Sequence, residues 1–215
     1  QMLYWTIIFP KNLFDLNTFQ LFSNTIYLVF LSSIVLVVFS FISNYGNRVT
    51  KSKFLNFLTT FSITGYAIPG VILAVAFITF IAWFDNTFVK AFEFNSIKKI
   101  FIGSIFGLVI VYFIRFYSLA YNGLKTGYER INRSIDESSY LLGYSKIKTF
   151  LGIHVPYLKN SVFLIGILIT IEVIKELPIT LILRPFNFET FATTAYIFAS
   201  QDLLEAAAVP SLFLI

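Results

Sequence analysis

Apolar residues in this chain come in long unbroken runs, separated by short polar stretches, and do not alternate with polar ones. Four runs are long enough to cross a bilayer as helices, which takes roughly 20 residues. They cover about 21–43, 57–84, 99–121 and 159–183, and a fifth, incomplete run covers 203–215. Hydrophobicity on all sides favours helices here, because an open sheet edge in lipid would leave backbone groups unpaired. The expected fold is therefore all-α, a single polytopic transmembrane helical bundle. Gly65, Pro69 and Gly70 fall inside the second run and predict a kink with close helix approach. A gate and a static packing feature would both produce this pattern.

The longest polar interruption, about 122–158, has a pattern of its own. Ser134 and Glu137 stand at capping-box spacing and predict a helix over about 135–142. Gly143 permits a left-handed stop. Ser145 is placed to cap a second helix from Lys146 to about Ile153, and Pro156 suits the first turn of the next span. Tyr140, Leu141, Leu142, Tyr144, Ile147, Phe150 and Leu151 supply more apolar surface than a solvated linker needs. Two readings of that surface are open: an amphipathic helix lying on anionic lipid, and a docking element for another protein.

Composition agrees with a membrane protein. The 215 residues are 57% hydrophobic and 13% charged, with a mean hydropathy of +0.80. A soluble domain of this length would need more polar surface. The absence of cysteine excludes disulfide frameworks, thiolate metal sites and cysteine nucleophiles. Residues 1–10 lack the basic region and cleavage site of a signal peptide. The short apolar run at 209–215 suggests a chain cut at its C-terminus, and the opening suggests the same for the N-terminus.

Basic residues set the expected orientation. Arg48, Lys51, Lys53, Lys125, Arg130, Arg133, Lys146, Lys148 and Lys159 fall on one side of the spans, against Lys11, Lys90, Lys98, Lys99 and Arg184 on the other. The side with nine is predicted to be cytoplasmic, which places the 122–158 loop in the cytoplasm.

Within that loop Glu137, Ser138, Ser139, Gly143, Ile153 and Pro156 keep a fixed spacing. It resembles the EAA loop of ABC importer permease subunits: Glu-Ala-Ala, three residues, Gly, nine residues, Ile, one residue, Leu-Pro. Ser138 and Ser139 replace the alanines, and Val155 replaces the leucine. The resemblance extends to Asn24-Thr25, to Gly65-Tyr-Ala-Ile-Pro69-Gly70 and to the run 175–190. That last run looks like the corresponding part of ferric-iron importer permeases, in particular the second half of fused permeases. Thiamine, putrescine and phosphonate permeases are relatives. The resemblance implies a type I importer permease fold in a bacterial inner (plasma) membrane, with the loop forming coupling helices that dock on separate ATPase subunits. It also implies a periplasmic or extracellular substrate-binding protein and a second permease half or a homodimer, embedded in membrane lipid. ATP would be bound by the partner. The chain itself has no G-x-x-x-x-G-K-[ST] phosphate loop, so no cofactor, enzymatic site or nucleic-acid partner is expected.

Glu172, Lys175 and Glu176 lie inside the fourth span, where a central charge costs about 2.5–3.5 kcal/mol. They must face protein or water. An ion-pair cluster that fixes helix packing and a lining for a cationic cargo are both open readings, the second including Pro178 and Pro69 as pathway or gate residues. Hard oxygen ligands would suit Fe(III), but no metal site is assigned. An ion-driven secondary transporter or channel using the same cluster is the alternative from another class. His154, the sole histidine, is expected to be a boundary residue. The aromatic stretch 187–199 is expected along the external face, where it would help receive the binding protein.

Overall fold

The computed structural model describes residues 2–8, 16–50, 52–89 and 101–215. Lys11, Lys51, Lys90, Lys98 and Lys99, used in the charge comparison, lie outside the described residues, as does the start of the third expected span. The described residues form helices α1 (Met2–Ile8), α2 (Leu16–Thr50), α3 (Lys53–Ile63), α4 (Gly70–Phe84), α5 (Ile105–Glu129), α6 (Arg133–Leu141), α7 (Lys146–Thr149), α8 (Val155–Lys175), α9 (Pro178–Leu183), α10 (Phe191–Ser200) and α11 (Leu204–Leu212). No strand occurs among them. Among the described residues, four helical stretches are long and apolar enough to cross a membrane: Thr18–Thr50, Gly70–Thr87, Ile105–Glu129 and Lys146–Lys175. The chain is all-α and has the make-up of a multi-pass membrane protein.

Helix ends depart from the hydropathy pattern where polar side chains find partners. α2 continues past Ser43 through Asn44, Asn47 and Arg48. Asn44 donates to the Tyr121 carbonyl at 3.1 Å, and Asn47 donates to the Thr59 and Tyr121 hydroxyls at 3.1 and 3.0 Å. With these groups satisfied, the helix has no reason to stop where hydropathy falls. The second span is broken outright: a 3-10 turn (Thr64–Ala67) follows α3, and Pro69 stands at the N-cap of α4. Proline cannot donate to the turn before it, so the helix restarts there. The fourth span breaks in the same way, with α8 ending at Lys175 and Pro178 opening α9.

The chain divides into two compact units. The first comprises Gln1–Ser32, Ile68–Phe113 and Ile171–Ile215. In it α11 packs on α1 and α10, and α4 packs on α9, so the two helices restarted behind prolines lie against each other. The Tyr112 hydroxyl bonds to Thr180, which in turn donates to the Glu176 carbonyl.

The second unit comprises Ser33–Ala67 and Ile114–Thr170. Its core is formed by Leu36, Phe116, Leu124, Tyr128, Leu158 and Ile169, all buried. Glycines set its closest approaches. A Cβ on Gly65 would stand 2.2 Å from the Ile114 carbonyl oxygen, and one on Gly127 would stand 2.8 Å from Leu158 and Ser161.

Gly65→Ala should therefore cost about 1–3 kcal/mol, since the obstacle is backbone and cannot turn aside. Gly166→Ala, which meets nothing within 4 Å, should cost nothing. Reversible unfolding of the two variants in mixed micelles checks this; equal stability would contradict the close approach at Gly65.

Candidate functional site: the polar loop and its buried anchor

The loop 130–156 is built in the second unit from α6, a glycine turn, α7 and a π turn. α6 starts two residues earlier than the capping box predicts, and a different residue caps it. The Asn132 side chain accepts from the Ser134 amide at 3.2 Å, while Ser134 lies inside the helix and is exposed, as is Glu137. The cause is upstream: Arg48 donates to the Ile131 and Asn132 carbonyls at 2.9 and 3.1 Å, which fixes the entering chain in an extended conformation at Asn132.

α6 ends as Gly143 predicts. Gly143 has φ +80°, its amide donates to Tyr140 O at 3.0 Å, and the Tyr144 amide donates to Ser139 O at 3.1 Å. This is a Schellman closure, in which glycine supplies the left-handed residue. A Cβ at Gly143 would meet nothing within 4 Å, so backbone conformation creates the demand for glycine, and the space above it is open. The Ser145 side chain caps α7, accepting from Lys148 at 3.3 Å.

The second loop helix does not stop before Pro156. It passes from α7 through a π turn (Phe150–His154) directly into α8. The Val155 amide reaches back five residues to Phe150 O. The wider turn tolerates Pro156, which has no amide proton of its own.

His154 is not a boundary residue. The π turn rotates it inward, where it is fully buried with Nε2 at 2.7 Å from Asp136 Oδ1. The other carboxylate oxygen, Oδ2, accepts from Arg48 Nε at 2.6 Å, and Arg48 donates further to the Tyr128 carbonyl at 3.2 Å. Rings close over this triad: Tyr128 stacks on His154 with centroids 5.4 Å apart, and Tyr45 lies 5.1 Å from it. Phe150 packs at 4.8 Å on Tyr45, whose hydroxyl donates to Lys146 O at 2.7 Å. Ser139 is buried and bonds to Thr149, joining α6 to α7.

The outer side of this frame is apolar and uncovered. Leu141, Leu142, Ile147 and Leu151 are 89%, 78%, 72% and 60% exposed. Ser138 and Pro156 are exposed, and Ile153 is half-buried. Of the six spacing residues, Ser139 and Gly143 thus shape the joint between α6 and α7, while Glu137, Ser138 and Pro156 are exposed. Sequence reasoning missed Arg48, Asp136 and His154, because the partners are far apart in the chain and only the third dimension joins them.

The other candidates fall in the first unit. Glu172 and Pro178 are half-buried, Lys175 and Pro69 exposed, and Glu176 buried. The first of the two open readings, an ion-pair cluster, does not form: among the described residues no ion pair links Lys175 to either carboxylate. The helix ends at Lys175, so Glu176 leaves the shared face, and its carboxylate accepts from the Ile179 amide at 3.3 Å, within the first turn of α9. Elsewhere in this unit two distant segments meet. Asn24 donates to Glu189 O at 3.0 Å, and the Phe191 amide donates to Thr25 Oγ1 at 3.2 Å. Glu189 also pairs with Arg184 and accepts from Thr193 at 2.9 Å. α10 is thereby held against α2 with Phe191, Ala192, Thr193 and Ala195 buried. A cavity of about 500 Å³ opens beside this joint, lined in part by Asn24, Asn187, Glu189 and Thr194; Glu172, Lys175, Glu176, Pro178 and Pro69 do not line it. Among the described residues no group of three or more His, Asp or Glu side chains is placed to hold a metal ion.

Over 145 residues the chain is 23% identical to an Fe(3+)-transport system permease protein of Haemophilus influenzae. It resembles a transport permease. The match takes in 67% of this chain and 26% of the relative, so the chain spans about a quarter of that permease's length. No family model matches the chain. The resemblance to an importer permease read from the motifs therefore has an independent counterpart in a permease of an iron transport system.

Asp136→Ala should cost about 2–4 kcal/mol, because it leaves Arg48, whose side chain is 12% exposed, without its counter-charge. Reversible unfolding in mixed micelles checks this; a loss below about 1 kcal/mol would mean that water screens the triad.

Proposed function

We propose that the chain is a permease subunit of an ABC importer and that the corner at Leu141–Gly143 is where a separate ATPase subunit docks. The observation that carries this reading is the uncovered leucine pair on a frame held together from behind by the Arg48–Asp136–His154 contacts. Burying both leucines would contribute about 3–6 kcal/mol. The frame is already ordered, so little of that gain is lost to fixing the loop. Energy from ATP hydrolysed on the partner would reach the spans through α7 and α8. Glu137, Ser138, Gly143, Ile153 and Pro156 would form or support the contact, while Ser139 would hold the two short helices together.

The cargo we propose is ferric iron, on the strength of the 175–190 run and of the permease relative's name. It would be delivered by an extracellular or periplasmic binding protein and pass between this chain and a second permease half or a second copy. Glu172, Glu176 and the helix breaks at Pro69 and Pro178 remain candidates for the path. An ion-driven carrier is less well supported, since the Glu176 carboxylate is engaged at the start of α9.

Three experiments test the reading. Leu141→Asp combined with Leu142→Asp should leave the protein in the membrane and abolish co-purification of the ATPase; undiminished co-purification would sink the docking assignment. Gly143→Val, which forces a β-branched residue to positive φ, should uncouple uptake from ATP hydrolysis. Uptake of radiolabelled iron should fall at least tenfold in cells lacking the gene, and unchanged uptake would remove iron while leaving the importer class.

A further inference from the structure

The second unit has a second polar feature that the coupling reading does not use. A bowl of about 690 Å³ lies at the polar ends of α2 and α5, lined in part by Lys125, Arg130 and Arg133. Arg48 also lines it but is committed to Asp136 and three backbone carbonyls. The other three cations make no ion pair among the described residues. Among the described residues Glu129 is the one carboxylate in the lining. Tyr128 and Asn47 also line it, but the Tyr128 hydroxyl and Asn47 Oδ1 are themselves closed off from it. The donors the bowl offers an anionic occupant are therefore the three exposed cations.

Arg130 also lines a groove of about 300 Å³ that runs between α5 and α8. Its floor is Gly123 and Gly127, and its walls include Leu164, Ile165 and Leu168. The glycines let α8 come close, since a Cβ at Gly123 would stand 2.7 Å from Ile165. Leu164 and Leu168 are 66% and 41% exposed on helices apolar enough to lie in a bilayer. One arginine thus joins a basic, donor-rich bowl to an apolar slot.

We propose that the bowl and groove together hold one anionic phospholipid. Its phosphate is bound by Lys125, Arg130 and Arg133, and one acyl chain lies in the groove. Basic pockets between membrane helices bind phosphate headgroups by the same chemistry. A free phosphate would use the bowl and leave the slot empty, so the groove favours lipid. The proposal rests on the membrane-spanning reading of the helices and not on ATPase docking.

The test is native mass spectrometry and thermal unfolding of the full chain, purified in a neutral detergent. Phosphatidylglycerol, phosphatidylcholine with the same acyl chains, glycerol 3-phosphate and inorganic phosphate are added separately. One phosphatidylglycerol should be retained, at least tenfold more tightly than phosphatidylcholine, and should raise the unfolding midpoint; the two soluble phosphates should not. Lys125→Gln with Arg130→Gln should weaken retention at least tenfold, Leu168→Trp should do so by filling the slot, and Lys146→Gln should change nothing. If the double charge variant fails to fold, Leu168→Trp alone decides. Equal retention of phosphatidylcholine, equal protection by inorganic phosphate, or full retention by Leu168→Trp would each overturn the proposal. The Leu141→Asp, Leu142→Asp protein should bind the lipid like the native chain, which separates this outcome from failure of the docking assignment.

Discussion

Asp136 meets Arg48 with one carboxylate oxygen and His154 with the other, and the polar loop depends on that double contact. A buried carboxylate is tolerable only when charge and hydrogen bonds compensate it. Arg48 provides the charge and uses its remaining donors on the Tyr128, Ile131 and Asn132 carbonyls. The start of α6, the aromatic layer of Tyr45, Tyr128 and Phe150, and the inward face of the π turn all follow from satisfying one side chain.

The first unit is organised differently, by interruptions. Pro69 and Pro178 each end one helix and open another, and the two helices so begun pack together. Irregular backbone at such depth is stable where protein surrounds it. Thr180 and Glu176 supply hydrogen bonds at the second break, where the backbone ladder lapses. The Asn24–Glu189 and Thr25–Phe191 bonds do comparable work at the entry to α10.

What the sequence made legible is what depends on neighbours along the chain. Long apolar runs marked the helices, Gly143 marked the left-handed stop, Ser145 marked the cap of α7, and Pro178 marked the break. Contacts across the fold decided the rest. Arg48 looked like one more loop cation until Asp136 was found beside it. Ser134 fitted a capping box but lost the role to Asn132, because Arg48 had already fixed the chain ahead of it. Glu172 and Lys175 stand one turn apart inside α8 yet form no ion pair, and Glu176 falls beyond the end of that helix. His154, a single polar residue without a motif, gave no local signal at all.

The π turn explains why the inner face of the loop is hard to read as a repeat. Thr149, His154, Leu158, Ile165 and Ile169 are all buried, at separations of five, four, seven and four. In a uniform α-helix each residue advances about 100°, so a step of five would turn His154 well away from Thr149. The extra residue in the wide turn absorbs that phase error and restores a single inward stripe from Thr149 to Ile169. The helix therefore behaves as two gears meshed with a one-tooth offset, and the outward set of residues on the loop side is fixed by where that tooth lies.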